Sequence, residues 1–152
     1  VCSSDLSSQH ALGEKQALEV KLAEARQQAE AQAREAQARA AHGDRLEVTR
    51  FEFAHSDRLI TERETAGLIK VMVVKGRPVG VSIAGHQAGE LANLWSLVIA
   101  NKLKMKHVAA MVSPYPTVGE INKRAAGAYF SPRLFDNPTV KRIVGLIQRW
   151  VP

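Results

Sequence analysis

The residues best suited to chemistry lie in the segment SPYPTVGE, residues 113–120. Tyr115 supplies a phenol and Glu120 a carboxylate, on either side of Pro116 and Thr117. A phenol with a pKa near ~10 stays protonated at neutral pH, so Tyr115 can donate a hydrogen bond but is a poor general base. Both residues also have local readings. Thr117 as N-cap with Glu120 at the third helical position makes a capping box, and Tyr115 between two prolines reads equally as a packed loop aromatic. The five histidines include no H-x-x-x-H pair, which leaves a zinc site without support. His86 closes a predicted strand and His107 sits in a basic stretch, and both read as surface or capping residues. Cys2 is the single cysteine, which excludes an internal disulfide and a cysteine-based metal site. Gly76, Gly80, Gly85 and Gly89 do not have the G-x-G-x-x-G spacing that cradles a dinucleotide phosphate.

The elements that must position these residues occupy the second part of the chain. LEVTRFEF (46–53) alternates as a strand. Ser56 or Asp57 can cap a short helical turn through Arg58–Glu64. Strands at 68–74 and 78–84, rich in β-branched residues, flank Lys75-Gly76-Arg77 as a hairpin. Residues 88–103 form an amphipathic helix with Leu91, Leu94, Trp95, Val98 and Ile99 on one face. Residues 104–112 read as a short strand or a turn, with Lys102, Lys104 and Lys106 along its edge. Pro114 and Pro116 then hold the chain extended ahead of a helix through Phe130. SPRLFDNP (131–138) reads as a loop, with Asp136 or Asn137 ahead of Pro138 at a helix start. A last helix, 139–151, carries Val140, Ile143, Val144 and Ile147 on one face and Lys141, Arg142 and Arg149 opposite. It is expected to dock on its own domain, with a membrane surface as the lesser option. The order predicts an α+β domain, an antiparallel sheet with helices packed on one face.

The 152 residues allow one ordinary domain plus an extension, and no apolar run is long enough to span a bilayer. Residues 11–42 are mostly Ala, Gln, Glu, Arg and Leu, strong helix formers with a poor apolar stripe. A long single helix or weak coiled coil ending at Gly43 is expected. The chain starts without Met, and its opening residues have neither the basic nor the apolar region of a signal peptide. The opening VCSSDL matches what the end of a sequencing adapter would encode. Residues 1–6 are therefore expected to be an assembly artefact, and the helical segment 1–43 foreign to the native gene. The expected organisation is 1–43 helical, 44–130 globular and 131–152 a C-terminal extension. Charge divides unevenly: residues 101–152 hold nine Lys and Arg against Glu120 and Asp136. This reads as a solvated basic surface, because no nucleic-acid module accompanies it.

The hairpin ending in GHQAGEL (85–91), the helix after it and the YPTVGE element (115–120) resemble the C-terminal dimerisation domain of the pyridine nucleotide-disulfide oxidoreductases. The resemblance runs from about Leu46 to about Phe130. It implies a homodimer whose Pro-Thr loop crosses into the partner's active site, with Thr117 at the interface, while Trp95 on its apolar helix face reads as core or dimer interface. It implies Tyr115 and Glu120 as catalytic residues contributed in trans, and the backbone of Tyr115 and Pro116 near the partner's flavin. FAD and NAD(P) are implied for the parent enzyme, held on domains this chain lacks, with none on this chain alone and no activity of its own. A cytoplasmic location is implied, with membrane association of the parent through the last helix left open. One position departs from the family: Tyr115 stands where a His usually precedes the Pro. A His with a pKa near ~6.5 exchanges protons readily at neutral pH and a Tyr does not, so the resemblance does not carry the usual acid–base role over to Tyr115. Two other readings remain: an interaction protein oligomerising through residues 11–42, and, less favoured, a nucleic-acid binder using the basic half.

Overall fold

The computed structural model describes residues 2–135 and 138–150. Helix α1 (Cys2–His42) leads through a short 3-10 turn to strand β1 (Leu46–Glu52). Helix α2 (Asp57–Glu62), strands β2 (Gly67–Val74) and β3 (Arg77–Gly85), and helices α3 (Ala88–Ala100), α4 (Met105–Ala110), α5 (Glu120–Phe135) and α6 (Pro138–Trp150) follow. The strands form one antiparallel sheet in the order β1-β2-β3. Thr49 pairs with Val71, and Ile69 with Ile83. The β2–β3 hairpin turns on Lys75 and Gly76, whose positive φ angles of 50° and 75° match the twist of the flanking strands.

The pleat sends alternate side chains to opposite faces. Ile69, Val71 and Val73 enter the core with Phe53, Leu91, Trp95, Val98 and Ile121, beneath α3 and α5. At one end, Gly67 and Gly85 pair across β2 and β3. A Cβ on either would come within 2.6 Å of the Phe53 ring, so both must be glycine for that ring to close the core. The other face carries Arg50, Lys70 and Ser82 toward α1. The Ala-rich helix thus precedes the domain as expected, and its second half lies against the sheet. Small alanines permit that approach, and Glu35 fixes it. Its carboxylate receives Lys70 Nζ at 3.0 Å, Arg50 Nη2 at 3.0 Å and Arg39 Nη2 at 2.9 Å.

Several local expectations require correction. Residues 105–110 form helix α4, not a strand or turn. Its first N–H bonds to the Gly76 carbonyl of the hairpin at 2.9 Å, and His107 Nδ1 accepts the Lys104 backbone N–H at 3.0 Å. These tertiary and capping bonds select the helix, so Lys102, Lys104 and Lys106 line no strand edge. Helix α2 stops at Glu62, with Arg63 in the left-handed region, and Ser56 makes no side-chain cap. Residues 131–135 are not a loop, because α5 continues through Pro132 to Phe135. Proline removes one helical donor, but contacts to β1 hold the last turns. Tyr129 donates to Glu47 at 3.1 Å, and Arg133 pairs with Glu47 while its guanidinium lies 4.0 Å from the Tyr129 ring centroid. Asp136 and Asn137, considered as caps for the last helix, lie outside the described residues.

Candidate functional site

The loop between α4 and α5 is the most exposed apolar segment of the globular part. Val112 is 95% exposed and Tyr115 66% exposed, and the Tyr115–Pro116 peptide is cis. The loop is closed from within, as the Thr117 hydroxyl donates to the Pro114 carbonyl at 2.8 Å. This corrects the capping-box expectation. Thr117 turns its side chain back to the loop, and the Glu120 carboxylate accepts Arg124 Nε at 2.9 Å. The α5 start is closed by backbone bonds, such as the Glu120 N–H to the Thr117 carbonyl at 3.3 Å.

Arg124 is the hub. Its Nε donates to Glu120 Oε1, Nη2 donates to Asp57 Oδ2 at 3.0 Å, and Nη1 donates to the His55 carbonyl at 3.0 Å. The Tyr115 hydroxyl donates to the same Asp57 oxygen at 3.1 Å. The loop is thereby tied to the start of α2, far away in sequence. Hydrogen bonding to Asp57 and the negative charge of Asp57 push the Tyr115 phenol above its usual value. Glu120 first, then Asp57, hold Arg124 still more firmly protonated. The arrangement is therefore a fixed cation between two carboxylates, with an exposed phenol that donates and does not abstract protons.

Tyr115, Pro116, Thr117 and Glu120 are brought together as the sequence suggested. Trp95 is not among them. Of its two readings, core and dimer interface, the structure selects the core: Trp95 is fully buried, with its Nε1 donating to Asn122 Oδ1 at 2.7 Å. Asn122 in turn donates to the Leu91 carbonyl at 3.2 Å, which satisfies both polar groups inside the core. Asp57 and Arg124 were missed as site residues. The i,i+4 spacing of Glu120 and Arg124 carried a signal for one of them, but nothing local links Asp57 to Tyr115. Among the described residues, no cluster of three His, Cys, Asp or Glu could hold a metal ion.

The sequence profile of the pyridine nucleotide-disulphide oxidoreductase dimerisation domain matches residues 29–126. The match begins inside α1, in the half of the helix that carries Glu35. A dihydrolipoyl dehydrogenase from Bacillus subtilis is 33% identical over 79 residues, which cover 51% of this chain and 17% of that protein. A mercuric reductase from Shewanella putrefaciens is 32% identical over 80 residues, covering 51% of this chain and 14% of its own length. The chain thus spans less than a fifth of either relative. Among solved structures, the Cu(II) complex of RclA, an HOCl-induced flavoprotein disulfide reductase from Escherichia coli, aligns with TM-score 0.58 at 22% identity, over 61% of this chain and 21% of that one. LpdA from Mycobacterium tuberculosis aligns with TM-score 0.55 at 16% identity, over 60% of this chain and 20% of its own. At that identity the two structures speak for the fold alone. The profile match spans well over half of the sequence and takes in the sheet, α3, α4 and the Tyr115 loop, so the chain belongs to the pyridine nucleotide-disulphide oxidoreductase dimerisation-domain family.

Proposed function

We propose that this chain is the dimerisation part of a longer FAD- and NAD(P)-dependent oxidoreductase. Two copies pair about a two-fold axis, and the Val112–Tyr115 part of each loop packs on the dimerisation part of the other on its way to the partner's active site. The observation that carries this reading is the exposure of Val112 and Tyr115 on a loop whose base is locked by Asp57, Arg124 and Glu120. A locked base with an apolar tip is a surface built to meet another surface. Tyr115 supplies a hydrogen-bond donor to the site, Glu120 and Arg124 hold its position, and the backbone of Pro116 comes near the partner's flavin. Cytoplasmic location of the parent belongs to the same reading.

The residues present do not fit a dinucleotide on this chain alone. The space beside the paired glycines Gly67 and Gly85 is filled by the Phe53 ring. The flavin and nicotinamide carry electrons for the parent when bound to its other domains. This chain contributes the interface and the loop, and by itself it is silent.

Sedimentation equilibrium of the full chain tests the pairing. The expected mass rises with concentration toward twice the 16.6 kDa of one chain. Val112→Asp, which puts a charge into the apolar contact, is expected to weaken association about tenfold or more. A single-chain mass at every concentration, or association indifferent to Val112→Asp, contradicts the proposal.

A further inference from the structure

Helix α6 (Pro138–Trp150) has the sequence PTVKRIVGLIQRW, with Lys141, Arg142 and Arg149 and no acidic residue. The docking expected from its apolar stripe is not seen at the described side chains. Val144, Leu146 and Ile147 are 44%, 59% and 56% exposed, whereas the core beneath α3 and α5 is closed without them. Positions 144 and 147 share one side of the helix at a spacing of three, Lys141 flanks Val144, and Arg142 and Arg149 fall on the other side together with Leu146. The helix is thus an apolar strip backed by cations and left uncovered.

Length and charge choose the occupant. Thirteen residues span about 20 Å, short of the ~30 Å of a hydrocarbon core. No helix among the described residues is long and apolar enough to cross a membrane. With three cations among its thirteen described residues, the helix is suited to lying on a bilayer. A second copy could cover the apolar strip but would leave the cations of α6 unanswered, because α6 carries no acidic residue to offer them. Within residues 101–152 the acidic groups are Glu120 and Asp136 alone, and Glu120 is already held by Arg124. Anionic headgroups supply both what the cations lack and an apolar layer for Val144 and Ile147. We propose that α6 binds the surface of an anionic lipid bilayer, apolar side down.

Flotation of the full chain with large vesicles tests this. One set is phosphatidylcholine with about 30 mol% phosphatidylglycerol, and the other is phosphatidylcholine alone. The chain is expected to float with the anionic vesicles, to remain behind with the neutral ones, and to be released by about 0.5 M salt. Lys141→Gln, Arg142→Gln and Arg149→Gln are each expected to lower the partition coefficient about fivefold. Ile147→Asp is expected to abolish binding. These positions lie outside the core, and an unchanged indole N–H resonance of buried Trp95, distinct from that of Trp150 on α6, verifies that each variant is folded. Three results overturn the proposal: no flotation with anionic vesicles, equal binding to both sets, or binding unmoved by the four substitutions. Lipid-free self-association that disappears in Ile147→Asp also overturns it, assigning the face to a second copy.

Discussion

Tyr115 is the residue on which the chemistry of the site turns, and its environment sets its role. A general base at this position would need a proton affinity near the working pH. The Asp57 hydrogen bond moves the phenol the other way, so the protonated form is the one the fold stabilises. Tyr115→Phe should therefore remove a donor and leave no lost base to be rescued by raising the pH. The titration itself can be followed. The chain has two tyrosines, so in a Tyr129→Phe background the tyrosinate absorbance reports Tyr115 alone. It is expected to titrate above the usual phenol range and to fall back toward ~10 in Asp57→Asn. A midpoint indifferent to Asp57→Asn would mean that the bond is not made in solution. Much of this was legible locally: Tyr115, Pro116, Thr117 and Glu120 stand together in sequence and in space. Asp57 was not, because its bond to Tyr115 spans 58 positions and only the closed fold brings the two together.

At the scale of elements, helix α1 shows how little a composition rich in alanine says about contacts. Its stripe of small side chains buries little area, which argues for a solitary helix, yet the polar Glu35 brings its second half onto the sheet. That carboxyl is held at about 2, chiefly by the Lys70 hydrogen bond acting against the cost of burial, with further help from Arg39 and Arg50. Its folded value lies below the ordinary 4.5, so the folded chain binds fewer protons there. The contribution to stability is full above about pH 4.5 and is lost as pH falls through about 2. Glu35→Gln leaves Lys70 buried without its carboxylate, and it is expected to cost about 2 kcal/mol at pH 7. Urea unfolding at several pH values checks this: the gap between wild type and variant should narrow between pH 4.5 and 2. A gap that is constant with pH would remove the ion pair from the account. The other misread elements share a cause. Residues 104–112 became a helix through the Gly76 carbonyl and His107, and 131–135 through the clasp of Arg133 and Tyr129 on Glu47. The strands and α3 needed no such partners, since alternation and a regular apolar face already define them.

For the whole molecule, the closed core and the open surfaces divide the labour. Trp95 and Asn122 satisfy each other inside, so the sheet and α3 form a frame that a partner does not complete. Val112 and Tyr115 on the loop, and Val144 and Ile147 on α6, are among the apolar groups left outside, and these are the surfaces assigned to a second copy and to lipid. The profile match from residue 29 to residue 126 covers the first and stops short of the second. The most direct test of the pairing is a sample that mixes isotope-labelled and unlabelled chains at a concentration where dimers dominate. Isotope-filtered NMR then reports only contacts between different chains. The account expects cross-peaks from the Val112 methyls and the Tyr115 ring to a second chain, all absent in Val112→Asp. A dimer whose intermolecular contacts come from other surfaces, with Val112 and Tyr115 silent, would contradict it.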